Sequence, residues 1–168
     1  SLNTYRRNAE LTSATNTLLA AINAARSEAL KLSTSAMVVP TGNGTDWNTG
    51  WVVFALGANN ATRRYDENLD KTVLVQGRLP SYVIVTGNGT ADPTTIAPYI
   101  MFDASGYATT KGEAGVTPNL TFNLTRNDVS GSEVFAQTRR IKISRTGRAR
   151  TCKPTSATDT NCSATVND

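Results

Sequence analysis

Histidine is absent from the 168 residues of this chain. That removes His-based catalytic triads, imidazole metal ligands and the commonest general base. Cysteine occurs only at Cys152 and Cys162. Two nearby cysteines with no other thiol predict a local disulfide and an oxidising compartment. Closing so short a loop contributes roughly 2–3 kcal/mol in the chain-entropy account. A redox or zinc site would need CxxC spacing or further ligands, and neither is present. No run is long and apolar enough to span a bilayer, and no signal peptide is visible. The expectation is a soluble chain, or one that starts downstream of such a segment. Glycine and proline are missing from Leu2 to Leu32, so nothing interrupts a helix there. Acidic residues are missing between Val134 and Thr158.

That last gap sets the charge pattern. The net charge is +4, from 17 Lys+Arg against 13 Asp+Glu. The two signs balance from Ser1 to Ser132. The surplus comes from Arg139, Arg140, Lys142, Arg145, Arg148, Arg150 and Lys153. A local surplus points to an anionic partner more than a diffuse one does, although a solvated basic strand would carry the same charges.

The apolar content is 39% and the charged content 18%, which suits one folded domain with a real core. Leu11, Leu18, Ala25 and Leu32 recur at helical spacing, with Ala14, Ile22 and Ala29 between them. This predicts an amphipathic helix with a narrow, Ala-rich stripe suited to close packing on a sheet. It stops near Ser33, and Pro40 forbids its continuation. Beyond it, β-branched runs predict strands at Trp51–Phe54, Thr72–Val75, Tyr82–Val85, Ile100–Phe102, Leu120–Leu124 and Arg140–Ile143. Turns are predicted at Gly42-Asn43-Gly44, Gly57–Asn60, Gly87-Asn88-Gly89 and Ser105-Gly106. One helix and then short-linked strands give an α+β class, with the helix over one face of an antiparallel sheet. The expected division is helix 1–33, β-rich head 34–153 and irregular tail 154–168.

The chemistry for an enzyme is thin, and neither an enzymatic role nor a cofactor is expected. Asp66, Glu67 and Asp70 crowd one loop, but their spacing matches no calcium loop and a solvated loop is the reading preferred. Asp103 and Glu113 form no recognisable dyad. The Asn-x-Ser/Thr triplets at Asn43, Asn60 and Asn88 are expected by chance in so Asn- and Thr-rich a chain. Trp47 and Trp51 read as packing residues. The basic segment says more. Alternation puts Arg140 and Lys142 on one strand face and Ile141 and Ile143 on the core face. In Gly147-Arg148-Ala149-Arg150, Gly147 allows a positive-φ turn that aims guanidinium groups together. Arg forks suit phosphate oxygens, without reading base sequence. No aromatic is interleaved in this segment, so base stacking is not encoded there.

Several motifs in order resemble one known family. Ala25-Arg26-Ser27-Glu28-Ala29-Leu30-Lys31 ends the helix. Trp47-Asn48-Thr49-Gly50-Trp51-Val52-Val53-Phe54 and Ile100-Met101-Phe102-Asp103-Ala104-Ser105-Gly106 follow. Arg140-Ile141-Lys142-Ile143-Ser144 then leads to Gly147-Arg148-Ala149-Arg150 and Cys152-Lys153-Pro154. Together these are similar to the GspH/FimT family of pseudopilins and minor pilins. The resemblance implies a type IV pilin-like fold: a long N-terminal helix packed on an antiparallel β-sheet head. It implies other pilins as filament partners, an inner-membrane anchor in a helix portion preceding Ser1, and a periplasmic or cell-surface filament. It also implies DNA as a ligand, since the Gly-Arg-x-Arg motif and its basic neighbours are associated with DNA binding during natural transformation in FimT-type members, and the acid-free basic segment makes double-stranded DNA, bound without base preference, the form expected. The DNA-binding residues it marks are Arg140, Lys142, Arg145, Arg148, Arg150 and Lys153, with Gly147 as the motif's turn. FimU-type pilins and GspH-type pseudopilins share the pattern and prime filament assembly instead.

Overall fold

The computed structural model describes residues 1–42, 46–88, 98–109 and 120–164. The predicted turn at Asn43-Gly44, the residues Gly89 and Glu113, and the end of the tail lie outside them. One helix, α1 (Leu2–Leu32), begins at Ser1, whose hydroxyl accepts the Thr4 N–H. It ends at Ser33, in a left-handed conformation with φ 53°. Leu11, Ala14, Leu18, Ile22, Ala25 and Ala29 are buried as the stripe predicts, and Ala21 joins them. Leu32 does not: the last residue of the helix, it is 40% exposed. No helix is long and apolar enough to cross a membrane among the described residues.

The β part is two antiparallel sheets rather than one. The strands are β1 (Ala36–Pro40), β2 (Trp51–Ala55), β3 (Lys71–Gln76), β4 (Val83–Asn88), β5 (Ile100–Phe102), β6 (Ala108–Thr109), β7 (Leu120–Arg126), β8 (Thr138–Ile143) and β9 (Ala149–Cys152). The first sheet runs β3-β2-β1-β5-β6 and the second β4-β7-β8-β9. A short helix, α2 (Glu133–Ala136), joins β7 to β8. The long helix lies against both sheets, and its small residues let them approach. Leu18, Ile22 and Ala25 share one core with Val38, Trp51 and Phe102 of the first sheet and Phe122, Leu124, Ile141 and Ile143 of the second. The outer face of the first sheet carries a smaller cluster of Met37, Val52, Phe54, Tyr99 and Met101.

The strands predicted from β-branched runs are present. Gly87 and Asn88 differ from expectation. They close β4, opposite Phe122 and Thr121, instead of turning the chain. β1 escapes the sequence pattern, because Pro40 and the helix boundary obscure its Ala-Met-Val-Val run. β9 escapes it too, because Ala149-Arg150-Thr151-Cys152 carries no β-branched apolar run.

The Trp-x-x-Gly-Trp run joins the two sheets. Trp47 meets Phe122 edge-on at 5.1 Å. The Asn48 side chain donates to the Val83 carbonyl and accepts the Val85 N–H at 3.1 Å, satisfying the open edge of β4. Trp47 and Trp51 are buried, and neither indole N–H has a hydrogen-bond partner among the described residues. Both act by packing.

Candidate nucleic-acid interface

The basic segment folds as the hairpin β8–β9 at the edge of the second sheet. Its turn is Ser144–Arg148, closed by Gly147 N–H to the Ser144 carbonyl at 2.9 Å and Ser144 N–H to the Arg148 carbonyl at 2.9 Å. Gly147 has φ +91°. A Cβ there would lie 1.9 Å from the Gly106 carbonyl oxygen and 2.6 Å from Arg26 Nε. The motif's glycine therefore does more than turn the chain. It lets the hairpin dock on the Asp103–Tyr107 turn of the first sheet. Arg26 of α1 seals the joint, donating from Nε to the Gly106 carbonyl at 3.0 Å and from Nη2 to the Thr146 carbonyl at 3.4 Å. Ala108 N–H donates to the Arg145 carbonyl at 3.1 Å. The Asp103 carboxylate shapes the partner turn by accepting the Ser105 and Tyr107 N–H groups.

The structure divides the six predicted cations into two groups. Ile141 and Ile143 face the core, so Arg140 and Lys142 share the other face, as alternation requires. That face is not open to solvent. The C-terminal tail lies across it, and Arg140 and Lys142 are 9% and 4% exposed. Arg140 donates from Nε to Asn123 Oδ1 at 2.6 Å and from Nη1 to the Cys162 carbonyl. Lys142 Nζ donates to the Ser163 carbonyl at 3.0 Å. Their charges are engaged in holding the tail. Arg145, Arg148, Arg150 and Lys153 are exposed. Arg150 stands beside Lys142 in register, and its guanidinium reaches the Asn161 carbonyl at 3.0 Å.

The tail is more ordered than its composition implies. A disulfide joins Cys152 of β9 to Cys162, with Cα atoms 5.9 Å apart. Within the loop the Asp159 carboxylate accepts from Thr155 and Asn161 N–H groups. Those bonds hold its carboxyl below the usual range. Sequence reasoning missed this tail contact because its acceptors are backbone carbonyls, which no side-chain pattern records. Arg26 was legible only as part of a family-like segment.

Arg139, on the core side of β8, turns toward α1 and donates to Asn8 Oδ1 at 3.1 Å. Burial pushes its guanidinium pKa down from the ordinary value. Three ion pairs among the described residues lie away from the hairpin. Asp128 takes both forks of Arg126, at 2.9 and 2.6 Å, and also Arg7 of α1 at 2.5 Å. The Arg126 guanidinium holds the Asp128 carboxyl well below the usual carboxylate range. Lys71 pairs with Glu28 at 2.6 Å and lowers its carboxyl in the same sense. In the acidic loop, Asp66 accepts the Asn68 N–H at 2.8 Å and Asp70 is fully engaged. Asp70 accepts from Gly57 N–H, Asn60 Nδ2 and Asp66 N–H, each within 2.9 Å. Asn60 is buried, and its side-chain amide donates to the Arg64 carbonyl and to Asp70.

Three comparisons bear on kinship. The family described as type II transport protein GspH matches residues 14–147. No curated protein matches the chain. Among solved structures, the type IV minor pilin FimU of Pseudomonas aeruginosa is 18% identical, with a TM-score of 0.61 over 90% of this chain and 93% of that one. A second crystal form of FimU gives 17% identity and a TM-score of 0.58 over 84% and 91%. The minor pseudopilin EpsH from the type 2 secretion system of Vibrio cholerae is 13% identical, with a TM-score of 0.55 over 86% and 97%. A helix carrying two antiparallel sheets is thus shared with both kinds of subunit, and the match across most of its length makes this chain a member of the GspH family of minor pilins and pseudopilins.

Proposed function

We propose that the chain is a minor pilin of a bacterial type IV pilus that also binds double-stranded DNA through its β8–β9 hairpin. The observation that carries the second part is the group Arg145, Arg148, Arg150 and Lys153. All four are exposed, on one turn, one edge strand and the residue that follows it, in a stretch without an acidic residue. Burial of Arg140 and Lys142 does not weaken the group, because the tail already satisfies those two side chains. The Gly147–Gly106 docking gives the turn a fixed base, which lowers the entropy lost when its arginines close on phosphates.

Four cations neutralising four phosphates bind electrostatically, weakly and without base preference. Other pilins of the filament are the remaining partners on this reading. The exposed Leu2 and Tyr5 at the start of α1 support packing at that end, opposite the arginines. The Cys152–Cys162 disulfide fits an oxidising, periplasmic setting. Uptake of DNA in natural transformation is the process such a subunit would serve.

The test is a mobility-shift titration with duplex DNA at low salt. Binding that is lost when Arg148 and Arg150 are both changed to Gln supports the assignment. Binding unaffected by that change places the contact elsewhere. An intact protein that shifts no DNA leaves a subunit that primes filament assembly, the role proposed for a FimU-like or GspH-like member.

A further inference from the structure

The basic hairpin contains no aromatic residue, but the fold brings one to it from a distant segment. Tyr107 follows Gly106, whose carbonyl accepts Arg26 Nε. It precedes Ala108, whose N–H donates to the Arg145 carbonyl at 3.1 Å. Tyr107 is therefore next in sequence to the residue that hydrogen-bonds the arginine turn. Its backbone is fixed on both sides: its N–H donates to Asp103 Oδ1 at 3.0 Å, and its carbonyl accepts the Asp103 N–H at 3.0 Å. Ala108 is buried in the core, so alternation sends the preceding side chain outward.

Tyr107 is 47% exposed, so its ring is open to a ligand. Tyr5, the other strongly exposed tyrosine, is at the far end of α1. At 1.5 Å per residue it is roughly 30 Å from Arg26. The exposed ring at the arginine end belongs to Tyr107.

We infer that Tyr107 is a base-stacking platform beside Arg145 and Arg148, and that the hairpin favours single-stranded over duplex DNA. This deepens the DNA-binding reading above and rests on it. Arginines on phosphates hold either form of DNA. A ring next to them adds stacking only where a base is unpaired and can lie on it. In a duplex both base faces are already covered, and using the ring would require unpairing. A single strand crossing the turn offers its phosphates to Arg145 and Arg148 and a base to Tyr107.

The experiment measures fluorescence anisotropy with a mixed-sequence single-stranded oligonucleotide and with its duplex, at one low salt concentration. The proteins are the unaltered chain, Y107A, Y107F and the R148Q/R150Q double variant, each checked for an unchanged melting profile. Y107A is expected to weaken single-strand binding about fivefold or more, the lower end for one stacked base. Duplex binding should change less than about twofold, and Y107F should restore the single-strand affinity. Equal losses on both probes, or no loss on either, overturn the stacking assignment. If R148Q/R150Q still abolishes binding in that case, the electrostatic site stands without the ring. Failure of the unaltered chain to bind either probe removes both.

Discussion

Replacing Gly147 by alanine puts a methyl carbon 1.9 Å from the Gly106 carbonyl oxygen. An ordinary C···O contact needs about 3.3 Å, so the two turns must part by about 1.4 Å. The obstacle is backbone, not the end of a flexible side chain. Parting breaks the Arg26 Nε to Gly106 bond, now 3.0 Å, and the Ala108 to Arg145 bond, now 3.1 Å. The first is charge-assisted, costing about 1.5–3 kcal/mol, and the second is neutral, costing about 0.5–1.5 kcal/mol. The positive φ of +91° adds a backbone penalty for any residue with a Cβ, of about 1–2 kcal/mol. The expected destabilisation is about 3–6 kcal/mol, a large part of a typical domain's stability. Urea unfolding followed by tryptophan fluorescence reads it, with Arg148→Gln as the companion variant. Arg148 is exposed on the same turn, so its change should stay within about 0.5 kcal/mol. A loss under about 1 kcal/mol for Gly147→Ala would refute the docked-turn reasoning. It would return the motif's glycine to a simple turn residue.

Other expectations concern the rest of the molecule. Asp128 has a depressed carboxyl in the folded state, so its contribution is present above the unfolded value near pH 4 and is lost as pH falls below it. Acid titration of stability should therefore fall steeply below about pH 4, and Asp128→Asn should flatten that fall. The same variant strands Arg126, whose side chain is 3% exposed, at a cost of about 3 kcal/mol at neutral pH. Changing Cys152 and Cys162 together to Ser should cost about 2–3 kcal/mol in thermal or urea unfolding. It should also speed amide exchange in residues 153–164, and a tail as protected as before would show that the bonds from Arg140, Lys142 and Arg150 to its carbonyls suffice to hold it. Leu18→Ala, at the fully buried centre of α1, should cost about 2–5 kcal/mol in the same assay.

How far the sequence is legible depends on which groups do the work. The helix and most strands are carried by apolar periodicity, and Leu11 to Ala29 land on the core as their spacing requires. The split into two sheets is not visible, because it depends on which strands pair across long separations. Its junctions are single polar contacts between distant segments: Asn48 on the edge of β4, Arg26 between two turns. In the site, the charge pattern locates the hairpin but cannot say which of its cations the tail buries. Arg140 and Lys142 look equivalent to Arg148 and Arg150 until the tail is placed. The disulfide predicted from two lone cysteines ties that tail down, yet its consequence passes through carbonyl acceptors at Cys162 and Ser163. Tyr107 illustrates the same point from the other side. It lies 38 residues before Arg145 in sequence, and only the docking of two turns makes them neighbours.

The central claim is that four exposed cations of the β8–β9 hairpin, and not the two beneath the tail, meet DNA phosphates. The salt dependence of duplex affinity tests it most directly. Four phosphates predict a log–log slope of roughly −3.6 for the unaltered chain. Changing Arg148 and Arg150 to Gln should bring the slope to roughly −1.8, while Lys142→Gln should leave it near its starting value. A slope unmoved by the double variant, or moved as much by Lys142→Gln, would contradict the account.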